Sequence, residues 1–304
     1  MVGVNNSITK CNICASPKIR HYGTTNCIQH CVPPGVETKR LLFKCEDCHS
    51  ISIFPIPSKE SLVSYYNNNG ISQIFRTQNW DKRTVTPIIV QLAEAVGKGK
   101  VLDIGCGNGS LLDLLPSSLE KYGVEIGAGA AAEAERKNIQ VNCSPWELAE
   151  FDGQFDLIVA LDFLEHVGNP WLSFKKMADF LKPGGVLVIE TGNADSFIAR
   201  SLKDDWSYIA AFGHLCVISD KALISYSDKA NIKILNIIKG NHSKVSIGTC
   251  LYRGLLAYGL RGIKLSLSFL RNDRLKLNLL HNIFNRVPIP AALPDHMILV
   301  GQKR

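Results

Sequence analysis

From residue 99 onward, short unbroken apolar runs alternate with amphipathic stretches. The runs "KVLDIG", "KYGVEI", "IQVNC", "FDLIVALD", "GVLVIET", "IKILNII" and "HMILVGQ" predict seven strands. Strands that are apolar at successive positions, rather than at alternate ones, are buried on both faces, which predicts a mostly parallel sheet with helices on either side. One connecting helix is explicit: Pro170 suits a first helical position, Trp171, Phe174, Ala178 and Leu181 recur at helical spacing, and "KPGG" stops the pattern. Residues 58 to 98 read as a helical linker, with Ser58 as N-cap and Glu60 and Glu94 on exposed faces. Residues 1 to 57 carry no helical period and are punctuated by prolines, while 248 to 293 interrupt the alternation with a largely helical insert. The chain therefore divides into 1–57, 58–98 and 99–304.

The pattern breaks most informatively at "VLDIGCGNGSLL", residues 101 to 112, where a strand runs into three glycines and resumes as a helix. Gly105, Gly107 and Gly109 fall at every second position, so the third comes one residue too early for the dinucleotide fingerprint G-x-G-x-x-G. Glu125 closes the next strand, 20 positions after Gly105, where a carboxylate can accept both hydroxyls of a ribose. Asp103, just before the turn, repels phosphate and attracts an ammonium group. This combination favours a ligand with a ribose and a cation but no pyrophosphate, which describes S-adenosylmethionine (SAM). The glycines clear side chains from the backbone where the methionine tail must lie, and the helix N-terminus offers N–H groups to its carboxylate.

"VLDIGCGNGSLL", "YGVEIG", "FDLIVALDFLEHV" and "LKPGGVLVIET" stand in the order of the motifs of class I SAM-dependent methyltransferases, and the sequence resembles that family over residues 99 to 195. "DHMILVGQK" resembles the last strand of the fold. The resemblance implies an α/β, Rossmann-like, doubly wound sheet of seven strands, one of them antiparallel, with SAM at the carboxyl ends of the first strands. It assigns Gly105, Cys106, Gly107 and Gly109 to the methionine part of the cofactor, Asp103 to its amino group and Glu125 to its ribose. Many relatives carry an Asp after the third strand; here "Cys143-Ser144-Pro145-Trp146" leaves Ser144 for the adenine amine and Trp146 for the ring. Asp162, at the end of the fourth strand, faces the site.

Composition alters this picture at the front of the chain. Six of the ten cysteines precede residue 50. Cys11-x-x-Cys14 and Cys45-x-x-Cys48 are two knuckles of the kind that hold a structural zinc with four thiolates and no open position. Cys27 and Cys31, with His21 and His30 nearby, are read as core or solvent residues rather than ligands. The segment "IFPIPSKESLVSYYN" resembles the junction between zinc ribbon and methyltransferase core in bacterial enzymes that methylate sugars, nucleotide sugars or surface glycans. That implies a small-molecule sugar acceptor, methylated on a hydroxyl or a carbon, with Tyr65 and Tyr66 reaching the active site.

A hydroxyl or carbon nucleophile must lose a proton, and histidine is the natural base near neutral pH. His214, in "DDWSYIAAFGHLCVIS", lies where relatives carry a histidine in a loop over the acceptor, and ranks ahead of His166 in "DFLEHVGNP". Glu165 is placed to orient His166. In some quinone O-methyltransferases the same Glu-His pair helps hold a divalent ion. Trp206 and Tyr208 are placed to shape the acceptor pocket.

The balance of 34 basic and 27 acidic residues, net +7, is mild and gives no basis for nucleic-acid binding without the aromatic-basic motifs that RNA readers use. No apolar run of 18 residues and no secretory leader is visible, which predicts a cytoplasmic protein without a transmembrane segment. If residues 253 to 271 form one helix, Arg253, Arg261, Lys264 and Arg271 fall within about 80° of one another. That stripe reads as a solvated face, with peripheral contact to lipid head groups or to a diphosphate as its alternative. Two rivals stand beside the sugar reading: a methyltransferase acting on a quinone-like phenol or on RNA, and a non-catalytic SAM-binding scaffold.

Overall fold

The computed structural model describes residues 8–27, 32–33, 35–67, 83–241 and 294–304. The predicted helical insert with its basic stripe, Cys31, His30 and the middle of the linker lie outside the described residues.

The seven predicted strands form one sheet. They are β4 (Gly99–Ile104), β5 (Leu119–Val124), β6 (Gln140–Asn142), β7 (Phe155–Leu161), β8 (Leu181–Gly192), β10 (Ile232–Gly240) and β11 (His296–Lys303). Their order is β10-β11-β8-β7-β4-β5-β6. Neighbours from β6 to β8 are parallel, and β11 runs antiparallel to both β8 and β10. The chain winds outward from β4 to β5 and β6, then returns to lay β7 on the other side of β4. The crevice at the carboxyl ends of β4 and β7 is therefore the topological switch point, where open α/β sheets bind ligands.

Both faces of the sheet are buried, which is why the runs are continuous. Leu102, Ile104, Ile158, Ala160, Leu187 and Ile189 face Phe174, Met177 and Ala178 of the helix Pro170–Phe180. Val101, Leu157, Val159 and Val188 face Ile89 and Ala93 of the helix Thr86–Val96, together with Leu111 and Leu112. Asn169 caps the first of these helices by accepting from the Leu172 N–H at 3.1 Å, and Ser58 accepts from the Ser61 N–H at 3.2 Å to cap the helix Lys59–Asn67.

A second, antiparallel sheet precedes this one: β1 (Ile19–Asn26), β2 (Lys39–Cys45) and β3 (Ile51–Phe54), joined by β9 (Cys216–Val217). Its fourth strand thus comes from the body of the large domain, and Ile218 beside it bridges to Asn193 at the end of β8. The helix Asp220–Lys229 follows, and its N-cap Ser219 ties the two parts together. Ser219 Oγ donates to the Cys48 carbonyl, and its N–H donates to Ser50 Oγ at 3.1 Å. Tyr226 on the same helix donates to the Ile13 carbonyl at 2.7 Å.

Gly109 has φ +73°, and a Cβ there would run into Ile139 and come within 3.0 Å of Ala134 Cβ. Gly109→Ala is expected to cost about 1–3 kcal/mol by overpacking and strain, read as a lowered thermal midpoint. A midpoint equal to that of the unaltered chain would contradict this packing.

Candidate active site

The glycine turn sits at the switch point. Gly105 and Gly107 have φ of +79° and +53°; a Cβ on Gly107 would meet nothing within 4 Å, and one on Gly105 only Phe163 at 3.6 Å. The backbone there is bare on its outer side, as a cofactor lying against it requires. Cys106 turns the other way: it is buried, and a Cβ on Gly123 would come within 3.1 Å of Cys106 Cβ, so its side chain packs beneath the loop. Glu125 spans the turn, accepting from the Gly107 N–H at 2.9 Å and the Gly127 N–H at 2.7 Å. Burial pushes the Glu125 carboxyl up, with those N–H bonds opposing. Asp103 is buried beneath it and pushed up to about 7, first by desolvation and then by the Glu125 charge, with Arg83 acting against both.

The two proposed adenine contacts look different from their expectation. Ser144 Oγ donates to Asn142 Oδ1 at 2.6 Å. Trp146 is buried, its ring packed edge-on to Phe163 and Phe180 with Lys176 Nζ 4.9 Å from its centroid, and so belongs to the core. Asp162, just past β7 at φ +49°, accepts from Arg83 Nη2 at 2.9 Å. The same guanidinium group reaches the buried Glu190, and His296 Nε2 lies 3.8 Å from Asp162. Burial lowers His296, but the Asp295 carboxylate at 2.7 Å outweighs it and holds the imidazole at about 9.

Beyond Asp162, the chain continues through Phe163 into a single 3₁₀ turn, Leu164–His166. His166 Nδ1 lies 3.0 Å from the Gly213 carbonyl and 2.8 Å from the Tyr66 hydroxyl. The Tyr66 carbonyl in turn is 3.7 Å from where a Gly127 Cβ would stand, so Tyr66 spans from the ribose-side acid to this histidine. His214 packs edge-on to His166 at 4.7 Å and against the Tyr208 ring at 4.3 Å. Its Nδ1 is buried without a hydrogen-bond partner. Burial, and secondarily His166, hold the His214 pKa well below its ordinary value. Glu165 does not hydrogen-bond to His166 as expected. The end of β8 and the turn Ser207–Ala210 claim it instead: Thr191 Oγ1 donates to Glu165 at 2.9 Å and the Tyr208 hydroxyl at 2.5 Å. Even so, one ligand atom from each of Glu165, His166 and His214 lies within 4.8 Å of the others.

The four cysteine sulfurs also converge within 4.8 Å. Cys11 Sγ is 3.7 Å from Cys48 Sγ and Cys14 Sγ is 3.6 Å from Cys45 Sγ. A tetrahedron with zinc–sulfur bonds of about 2.3 Å has edges of about 3.8 Å, so the donor set fits the ion. The Ile13 and Cys48 N–H groups donate to Cys11 and Cys45 sulfur at 3.4 and 3.5 Å. Cys27 is no part of this cluster; it is buried beside Tyr65 and Phe212, with Arg40 Nε donating to it at 3.4 Å.

With this geometry in place, comparison with known proteins defines the class. Residues 72–237 match the family model described as a methyltransferase domain, and the chain belongs to that family, the class I SAM-dependent methyltransferases. It is 38% identical over 109 residues to a ubiquinone biosynthesis O-methyltransferase of Coxiella burnetii, a match covering 32% of this chain and 45% of that protein. The protein of the same name from Shewanella halifaxensis is 26% identical over 159 residues, 47% of this chain and 67% of the other. The chain thus spans less than half the length of the Coxiella relative. Among solved structures, the N-methyltransferase NodS from Bradyrhizobium japonicum, in complex with S-adenosyl-L-homocysteine, is 14% identical over 80% of this chain and 97% of its own, with a TM-score of 0.48. Among the described residues no helix is long and apolar enough to cross a membrane.

Sequence reasoning missed Arg83, Phe163 and Thr191. Phe163 was visible as the residue after the fourth-strand acid; Arg83 lies in the helical linker, and its partners Asp162 and Glu190 come from far along the chain.

A cationic amino group bound beside Asp103 needs that carboxyl ionised. Affinity for S-adenosylhomocysteine is therefore expected to fall as pH drops below 7, approaching roughly tenfold per unit, and Asp103→Asn should weaken binding and flatten the profile. Titration calorimetry between pH 5 and 8 checks this; an Asp103→Asn profile as steep as that of the unaltered protein would contradict it.

Proposed function

We propose that this methyltransferase acts on the hydroxyl of a small quinone-like phenol, with His166 as proton acceptor. The observation that carries the reading is the environment of His166. His166 Nδ1 lies between the Gly213 carbonyl, which can only accept, and the Tyr66 hydroxyl, which can accept or donate; on this reading the tautomer has the proton on Nδ1 and the lone pair on Nε2. His214, whose neutral form burial favours, packs against Tyr208 and serves as a wall beside His166. This reverses the order expected from sequence. Tyr65, Tyr66 and Phe212 stack in series beside His166, and Tyr208 packs against His214, which puts rings suited to a flat aromatic acceptor next to both histidines. The two curated relatives carry the name of a ubiquinone biosynthesis O-methyltransferase. Nothing in the comparisons favours the sugar acceptor expected from the linker, and the phenol takes its place.

SAM, when bound, supplies a methyl group on a sulfur that is already a good leaving group. Asp103 holds its amino group, Glu125 its ribose, and the Gly105–Gly107 backbone its methionine chain. Ser144 and Asp162 act at the rim, the first beside adenine and the second by fixing Arg83. The remaining tasks are alignment, exclusion of water and removal of one proton. Cys11, Cys14, Cys45 and Cys48 hold a structural zinc ion, and thiolates kept for zinc suit a reducing compartment such as the cytoplasm.

The 4.8 Å grouping of Glu165, His166 and His214 favours a second reading, in which these three hold a divalent ion that meets the phenolate. Turnover abolished by chelation and restored by magnesium, with zinc still in the ribbon, would select it.

Methyl-labelled SAM offered with dihydroxybenzoates, catechol and nucleotide sugars tests the main reading. It predicts label in the phenols only. His166→Ala should lower kcat by roughly 10²–10⁴ with unchanged affinity for S-adenosylhomocysteine. Label in the sugars, or an undiminished His166→Ala rate, would overturn it.

A further inference from the structure

Of the two largely buried cations on β2, Lys44 is partnered by the Ala194 carbonyl at 3.0 Å and by Asp195, and the other is Arg40. It sits on β2, only 2% exposed, with no carboxylate partner among the described residues. Nη1 donates to the Pro55 carbonyl and Nε to Cys27 Sγ at 3.4 Å, while Nη2 is buried with no hydrogen-bond partner. The Cys27 thiol does not neutralise the guanidinium, because burial raises its pKa and keeps it protonated. Arginine cannot lose its own proton to escape the cost, so a buried guanidinium with a spare donor calls for an anion.

Its position says where the anion comes from. The guanidinium lies 5.0 Å from the centroid of Phe212, whose ring is 5.2 Å from Tyr65; Tyr65 meets Tyr66 at 5.1 Å, and the Tyr66 hydroxyl touches His166. Phe212 also directly precedes Gly213, whose carbonyl holds His166. Three aromatic rings in series, Phe212, Tyr65 and Tyr66, thus connect the spare donor to the proposed proton acceptor.

We propose that Arg40 is the specificity-determining residue for an anionic acceptor: an oxygen of a carboxylate or phosphate carried by the substrate takes Nη2, while the ring bearing the reactive hydroxyl lies toward His166. This rests on the phenol reading for the reaction but makes its own claim about charge. Nη2 carries two N–H donors, so it can meet one oxygen of the anion or bridge two. Nη2 is closed to water in this structure, so the anion reaches it by parting the Phe212 and Tyr65 rings.

The test is calorimetric titration of the full chain, saturated with S-adenosylhomocysteine, with benzoate, inorganic phosphate and the neutral control benzamide. Arg40→Met removes the charge while keeping the bulk, Arg40→Gln removes it while keeping a donor for Pro55, and Arg40→Lys keeps the charge. Benzoate or phosphate should bind the unaltered protein and weaken roughly ten- to hundredfold in the Met and Gln variants. Benzamide and S-adenosylhomocysteine should be unaffected, and Arg40→Lys should retain part of the binding. Preference for benzoate assigns a carboxylate and preference for phosphate a phosphoryl group. Equal anion binding in a variant that lacks the charge, or no anion binding by the unaltered protein, would overturn the proposal. Failure of the phenol reading shows up separately, as anion binding that depends on Arg40 without methyl transfer to any phenol.

Discussion

Leu215 is held from two sides. Its N–H donates to the Glu165 carbonyl at 2.8 Å, and its carbonyl accepts from the Ile53 N–H of the small sheet at 3.1 Å. Residues 212 to 218 are therefore shared property: β9 completes the cysteine-bearing sheet, Ile218 pairs with the end of β8, and Phe212, Gly213 and His214 form one wall of the candidate site. A buried backbone group that loses its partner costs about 1–3 kcal/mol, so this segment cannot shift toward one sheet without loss at the other. Cys11, Cys45 and Cys48 fall in the same apolar cluster as the strands of the large sheet. Whatever the four sulfurs hold, it braces the acceptor wall rather than a detached appendage.

The cofactor end obeys a different constraint. Asp103 and Glu125 are two acids within one another's field, both raised by burial. A folded chain tolerates such a pair when a cation is to arrive. A ligand bringing an ammonium group and a sulfonium relieves the repulsion, whereas one bringing phosphates would worsen it. The same turn that resembles a phosphate cradle is thus electrostatically closed to phosphate.

The large sheet was legible because its central strands β4, β7, β8 and β11 carry long, largely buried apolar runs, a signal internal to the strand. β9 was not legible. Two residues, Cys216 and Val217, have no period of their own and become a strand only because β3 lies alongside. The same distinction sorts the site. Gly105, Gly107 and Glu125 are defined by spacing along the chain, and the structure brings them together at one turn. Side chains whose partners come from far away in sequence could be named but not oriented: Glu165 turns to Thr191 and Tyr208 rather than to its neighbour His166, and Ser144 spends its hydroxyl on Asn142. The burial of His214 and the contact of His166 with the Gly213 carbonyl are likewise not visible in a linear pattern. Tyr65, Tyr66 and Tyr208 could be named from the sequence, but not that Tyr66 reaches His166, Tyr208 packs on His214 and Phe212 joins them through Tyr65.

The small sheet positions His166, the proposed proton acceptor, through residues 212 to 218. Amide hydrogen exchange across that segment, in the full chain and in a Cys45→Ser, Cys48→Ser double variant, tests it most directly. The account predicts faster exchange at 212–218 and loss of methyl transfer, with affinity for S-adenosylhomocysteine retained. Unchanged protection of this segment in a double variant whose small sheet has lost its own protection would contradict it.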